Sequence, residues 1–88
     1  MALDYSNQLT HLYAGILAIE EDNLGQARNH LMKAQATDEY TSLYVITLMG
    51  DVMFRSGEKN TAMVMWKKVI SMNQRYIPAW ERILNFNQ

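Results

Sequence analysis

Two histidines, His11 and His30, are the side chains best suited to proton transfer or metal binding in this chain. They fall on different predicted helices. There is no cysteine to join them and no HExxH spacing, so neither a zinc site nor a metal-activated water is expected, and both read as surface residues. Asp51 and Arg55 stand four apart, the spacing of an ion pair along one helix face rather than of an acid–base couple. Glu20, Glu21 and Asp22 are consecutive and lack the alternating positions of a calcium loop. The glycines, Gly15, Gly25, Gly50 and Gly57, are scattered, so no phosphate-cradling loop is present. No catalytic constellation emerges; the chain is not expected to be an enzyme or to need a cofactor.

The elements that must position these residues read as helices throughout. From Gln8 to about Glu21, Leu9, Leu12, Tyr13, Ile16, Leu17 and Ile19 recur at helical spacing. Asp4, Ser6 or Asn7 is a candidate cap, and Asn23 is a candidate left-handed terminator. A second helix spans Leu24 to about Thr37, with Leu24, Ala27, Leu31 and Ala34 on one face. A polar break follows, with Thr41 or Ser42 as the expected cap of a third helix ending at Ser56 before Gly57. The fourth, about Glu58 to Asn73, should bury Ala62, Met63, Trp66, Val69 and Ile70. Pro78 lies in the first turn of a fifth helix, where its missing amide donor costs little. No segment sustains the two-residue alternation of a strand.

The composition of these 88 residues suits one domain. A chain this short buries only about 60–65% of its unfolded surface, and without cysteine it has no disulfide to reinforce it. Packing must stabilise it, and a hydrophobic content of 49% is enough for a core. Most of the seven methionines fall at core spacings and read as filler. The net charge of −1 gives no electrostatic case for nucleic acid. The charge is divided, however: residues 1–44 hold six acids and two bases, and residues 45–88 hold three acids and six bases. Such a bipolar chain can pair head to tail or orient a charged partner. No apolar run is long enough to span a membrane and no secretory signal opens the chain, so a cytoplasmic location without membrane contact is expected.

The two halves share a spacing. Gly15 is followed by Ala27, Leu31 and Ala34 at offsets of 12, 16 and 19, and Gly50 by Ala62, Trp66 and Val69 at the same offsets. A small residue on one helix lets the next approach, a small residue there fills the facing site, and a large one a turn later fills the groove.

This pattern resembles the tetratricopeptide repeat family over about residues 8–88. The family's small position falls on Gly50, its turn glycine on Gly57, its alanine on Ala62 and its aromatic on Trp66, while Trp80 takes the large first-helix position of a truncated third unit. Ile46 and Met53 replace a favoured tryptophan and tyrosine. Glu39 and Gln74 stand where a proline closes the unit, Ala18 stands at the first unit's tyrosine position, and one extra residue precedes the second unit. The resemblance implies an all-α array of about five antiparallel helices: units at about 8–42 and 43–76 and a half-unit at 77–88, in one domain.

It further implies that the first helix of each unit lines a concave groove. That places Leu9, Leu12, Ile16 and Ile19, then Tyr44, Thr47, Asp51, Phe54 and Arg55, then Glu81 and Asn85, along the groove. The Lys/Asn/Arg carboxylate clamp of the family's chaperone-binding members is missing. The expected function is therefore that of a protein-interaction module, an adaptor, scaffold or chaperone-like domain, taking an apolar peptide or amphipathic helix from another protein. The alternatives are the sensory or oligomerisation domain of a larger transcription regulator, and a self-assembly segment. Leu84 and Phe86 are the candidate self-association residues, with a homodimer covering them.

Overall fold

A computed structural model describes residues 4–34 and 38–86, with side chains from Thr10 onward. All its regular structure is helical: α1 (Asp4–Glu20), α2 (Leu24–Lys33), α3 (Glu39–Arg55), α4 (Lys59–Met72) and α5 (Ile77–Leu84). Short connections make sequence neighbours pack as hairpins. α1 lies on α2, α3 on α4, and α4 on α5, while α2 meets α3 between the two hairpins. The result is elongated, 46 × 28 × 15 Å. Among the described residues, no helix is long and apolar enough to cross a membrane.

The helix boundaries differ from expectation in instructive ways. Ser6 and Asn7 lie inside α1 rather than capping it. α2 stops at Lys33, and residues 35–37 of its expected last turn lie outside the described residues. The cap of α3 is Asp38, not Thr41 or Ser42. Its carboxylate accepts from the Thr41 amide at 2.9 Å and the Thr41 hydroxyl at 3.0 Å. Those bonds, the amide first, hold the Asp38 carboxyl below its ordinary range.

The first two hairpins repeat one geometry. α1 and α3 have 17 residues each and start 35 positions apart. Each ends in the same pair of reverse-turn bonds. Glu58 N–H reaches the Met53 carbonyl and Gly57 N–H the Phe54 carbonyl; 35 positions earlier, Asn23 N–H reaches Ala18 and Asp22 N–H reaches Ile19. This is the Schellman arrangement, which puts the residue after the helix in the left-handed region. Gly57 takes φ +92° and Asp22 φ +61°. The terminator of α1 is thus Asp22 and not Asn23, because the bonding pattern repeats with the period.

A Cβ at Gly57 would meet nothing within 4 Å, so its requirement for glycine is purely conformational. Gly57→Val should cost about 1 kcal/mol or more, as a β-branched residue is strained there. Asp22→Gly should instead stabilise by about 0.5–1 kcal/mol, the scale of a cap improvement. Urea denaturation checks both signs, and a stabilising Gly57→Val would refute the shared turn.

Three apolar clusters form the core. The largest joins Leu12, Ala18 and Ile19 of α1 and Ala27, Leu31 and Ala34 of α2 and its cap to Leu48 and Val52 of α3. Leu43, Val69 and Ala79 link α3, α4 and α5. Met53, Ala62 and Trp66 form the third, with Phe54, Met65, Ile83 and Phe86 around it. Methionine fills the core less than expected. Met53 is buried and Met49, Met63 and Met65 are half-buried, but Met32 and Met72 are exposed, and Met1 lies outside the described residues. Met32 follows Leu31, whose side chain meets Gly15, so the helical twist turns Met32 outward.

Candidate functional site

An open cleft of about 400 Å³ runs along one side of the helices. Ile19 of α1, Asp51, Phe54 and Arg55 of α3, Glu81 and Arg82 of α5, and Asn85 and Phe86 just beyond it line the cleft, with Trp66 of α4 beneath. Its apolar part is an aromatic triad. Phe54 lies 5.8 Å from Trp66 and 5.9 Å from Phe86, ring centroid to centroid, and Trp66 and Phe86 meet edge to face at 6.4 Å. The Lys59 ammonium sits 5.4 Å from the Phe54 ring centroid, close enough for a cation–π contact. Trp66 donates its indole N–H to the Thr47 carbonyl at 3.1 Å, which fixes the ring's orientation.

The charged part is already paired internally. Arg82 grips both oxygens of Asp51, Nε to Oδ1 at 3.0 Å and Nη2 to Oδ2 at 2.9 Å, and also donates to the Pro78 carbonyl. The Asp51 hydrogen bond raises the Arg82 pKa above its ordinary value. This replaces the expected Asp51–Arg55 pair. Arg55 instead donates to the Ile19 carbonyl at 2.8 Å and lies 3.9 Å from the Asp22 carboxylate. A cation at the C-terminal end of α1 adds a second hydrogen bond to a carbonyl of the closing turn and opposes the helix dipole, which an i,i+4 surface pair does not. Both arginines therefore tie neighbouring elements together across the cleft floor.

Of the expected groove residues, Asp51, Phe54, Arg55 and Glu81, together with Ile19 and Asn85, line the cleft. Leu12 and Thr47 do not. They stand 35 positions apart at one repeat position, and both are buried. Thr47 is fully enclosed, with its hydroxyl donating to the Leu43 carbonyl at 2.7 Å, so it serves helix packing. Ile16 and Tyr44 are half-buried against the largest core cluster rather than lining the cleft. The Leu9 side chain lies outside the described ones. Arg82 and Phe86 also line the cleft, although neither was among the expected groove residues.

His11 and His30 are not independent surface residues. Their Nδ1 atoms are 3.1 Å apart and their ring centroids 5.3 Å, a part-buried contact across the α1–α2 hairpin. Its roles require one Nδ1 to donate and the other to accept. Among the described residues, no cluster of three or more His, Asp or Glu side chains is placed to hold a metal ion.

The chain matches no known protein-family model, no curated protein and no solved structure.

Proposed function

We propose that this chain is a tetratricopeptide-like protein-interaction module whose cleft takes an apolar segment of another protein. The observation that carries this reading is the cleft's construction. It is lined by α1, α3 and α5 together, the first helix of each proposed unit, and its base is aromatic. Binding hot spots favour such aromatic anchors in partly enclosed sites. Asp51 and Arg82 neutralise each other, so the cleft centre offers a partner little net charge to recognise. The exposed rim residues Glu81 and Asn85 supply polar contacts around the apolar centre. An extended peptide or amphipathic helix with one bulky apolar anchor fits this chemistry.

Panning a displayed random-peptide library against the protein tests this. Enriched peptides should share a large apolar residue. Phe54→Ala should weaken their binding by about tenfold or more, as for an anchor worth at least ~1.4 kcal/mol. Asn85→Arg, which fills the cleft from an exposed position, should do the same without disturbing the core. Enriched peptides indifferent to both changes would exclude the cleft as the binding site.

A further inference from the structure

Each end of the molecule exposes a face that its middle buries. Tyr13 and Leu17, one turn apart on α1, are 62% and 57% exposed. Their counterparts 35 positions later, Leu48 and Val52, are 6% and 1% exposed, because the α1–α2 hairpin covers them. At the other end, Ile77, Trp80 and Leu84 form an i, i+3, i+7 stripe along α5, with Leu84 71% exposed. Leu84 stands 34 positions after Gly50, whose surface is covered by Trp66 of the following helix. The Trp80 indole N–H is already bonded to the Gln74 carbonyl at 2.7 Å, so what its exposed ring offers is apolar.

The two ends of the chain carry opposite net charge. Residues 1–27 contain Asp4, Glu20, Glu21 and Asp22 and no Lys or Arg. Residues 59–86 contain Lys59, Lys67, Lys68, Arg75 and Arg82 against one acid, Glu81, which lies on α5 beside the stripe. Glu20 and Glu21 lie three and four positions beyond Leu17, on the same side of α1. Arg75 belongs to the turn against which the Trp80 indole is bonded. One apolar patch thus stands at the acidic end of the chain and the other at the basic end.

We infer that these ends join: the α5 stripe Ile77/Trp80/Leu84 of one copy docks on the Tyr13/Leu17 face of the next. The match of charge orients the contact and disfavours pairing of like ends, since like charges brought together at an interface are costly. The contact is heterologous, so it extends into a ring or an open series rather than closing as a symmetric dimer. Phe86, the other candidate self-association residue, packs on Trp66 and Phe54 within its own chain and is not part of this docking face. The inference does not rest on peptide binding in the cleft, whose lining residues it leaves free.

Sedimentation of the wild type and two single variants tests it. The wild type should self-associate progressively with concentration, and less so at high salt. Leu17→Glu and Leu84→Glu each change an exposed side chain, so each should stay helical by circular dichroism yet sediment as a monomer. Mixing the two restores one intact junction: the Leu84→Glu chain keeps a good α1 face and the Leu17→Glu chain a good α5 stripe. The mixture should form a one-to-one complex and nothing larger. Tyr13→Glu and Ile77→Glu can replace either variant and should behave alike. A wild type that is monomeric at every concentration overturns the inference. So does a dimer abolished by Leu84→Glu but untouched by Leu17→Glu, which means symmetric pairing, and so does a mixture of helical variants that stays monomeric.

Discussion

Trp66→Ala should remove about 3–5 kcal/mol of stability, the range for a large buried aromatic truncated in a core. Trp66 is only 3% exposed, and its ring contacts both α3 and the segment after α5. One edge lies against Gly50, the indole N–H bonds the Thr47 carbonyl, and the ring faces meet Phe54 and Phe86. Truncation therefore leaves a cavity between α3 and α4 and removes one of the two aromatic partners of Phe86. For an 88-residue chain that is a large part of the whole folding free energy. Chemical denaturation measures it. Because α5 and Phe86 depend on the same ring, the far-UV helical signal should fall with the stability. Trp66→Phe separates the terms: it retains most of the apolar volume but loses the indole bond, and should cost about 1 kcal/mol more than the missing area alone predicts. A loss under about 1 kcal/mol for Trp66→Ala, well below the range for such truncations, would mean that the ring is not the link between α4 and its neighbours.

The all-helical fold and the period of its first two hairpins were readable because both rest on residue size at fixed spacing. Gly15 and Gly50 each face the residue sixteen positions on, Leu31 and Trp66, as the offsets require. The turn at Gly57 was readable because glycine after a helical run marks a left-handed terminator, and the period of the hairpins also marks Asp22, whose left-handed backbone a search for glycine or asparagine passes over. Charge pairing was not readable. Asp51 has Arg55 one turn away and Arg82 at 31 positions, and the tertiary geometry selects Arg82. Local spacing supplies a plausible partner but not the competing ones brought in by folding. The cleft was half readable. Asp51, Phe54 and Arg55 lie on the side of α3 that faces the cleft, whereas Thr47 lies where α3 meets α4. Thr47, Asp51 and Phe54 stand at i, i+4 and i+7 on one face of α3, and only packing decides where along that face the helix is covered. The His11–His30 contact was missed because α1 and α2 were read separately, although the hairpin that brings Gly15 to Leu31 also brings the rings together.

Gly50→Ala and Gly15→Ala should differ sharply although they occupy the same repeat position. In both, alanine adds about 1 kcal/mol of helix propensity over glycine. Against this, a Cβ at Gly50 would lie 2.3 Å from Trp66 Nε1 and 2.7 Å from Cδ1. The indole is rigid, enclosed and held by its bond to Thr47, so α4 must shift or the ring must turn and break that bond. Overpacking of this kind costs roughly 1–3 kcal/mol and occasionally more, which, less the propensity gain of about 1 kcal/mol, predicts a net loss of about 1–2 kcal/mol. At Gly15 the Cβ would lie 2.9 Å from Leu31 Cδ2 and 3.0 Å from Cγ. A leucine can change rotamer, so propensity and crowding should nearly cancel, leaving a net change within about 1 kcal/mol of zero. The cause can be isolated by repeating Gly50→Ala in a Trp66→Leu background, which reproduces the glycine–leucine pairing of the first hairpin. There the added methyl enters space that the indole has left, and the substitution should become neutral or stabilising. The coupling between the two changes should reach about 1–3 kcal/mol in favour of the double variant, as expected of residues in direct contact. If the two losses simply add, contact with the indole is not what requires glycine at position 50, and the close approach of α3 to α4 must rest on something other than this pair.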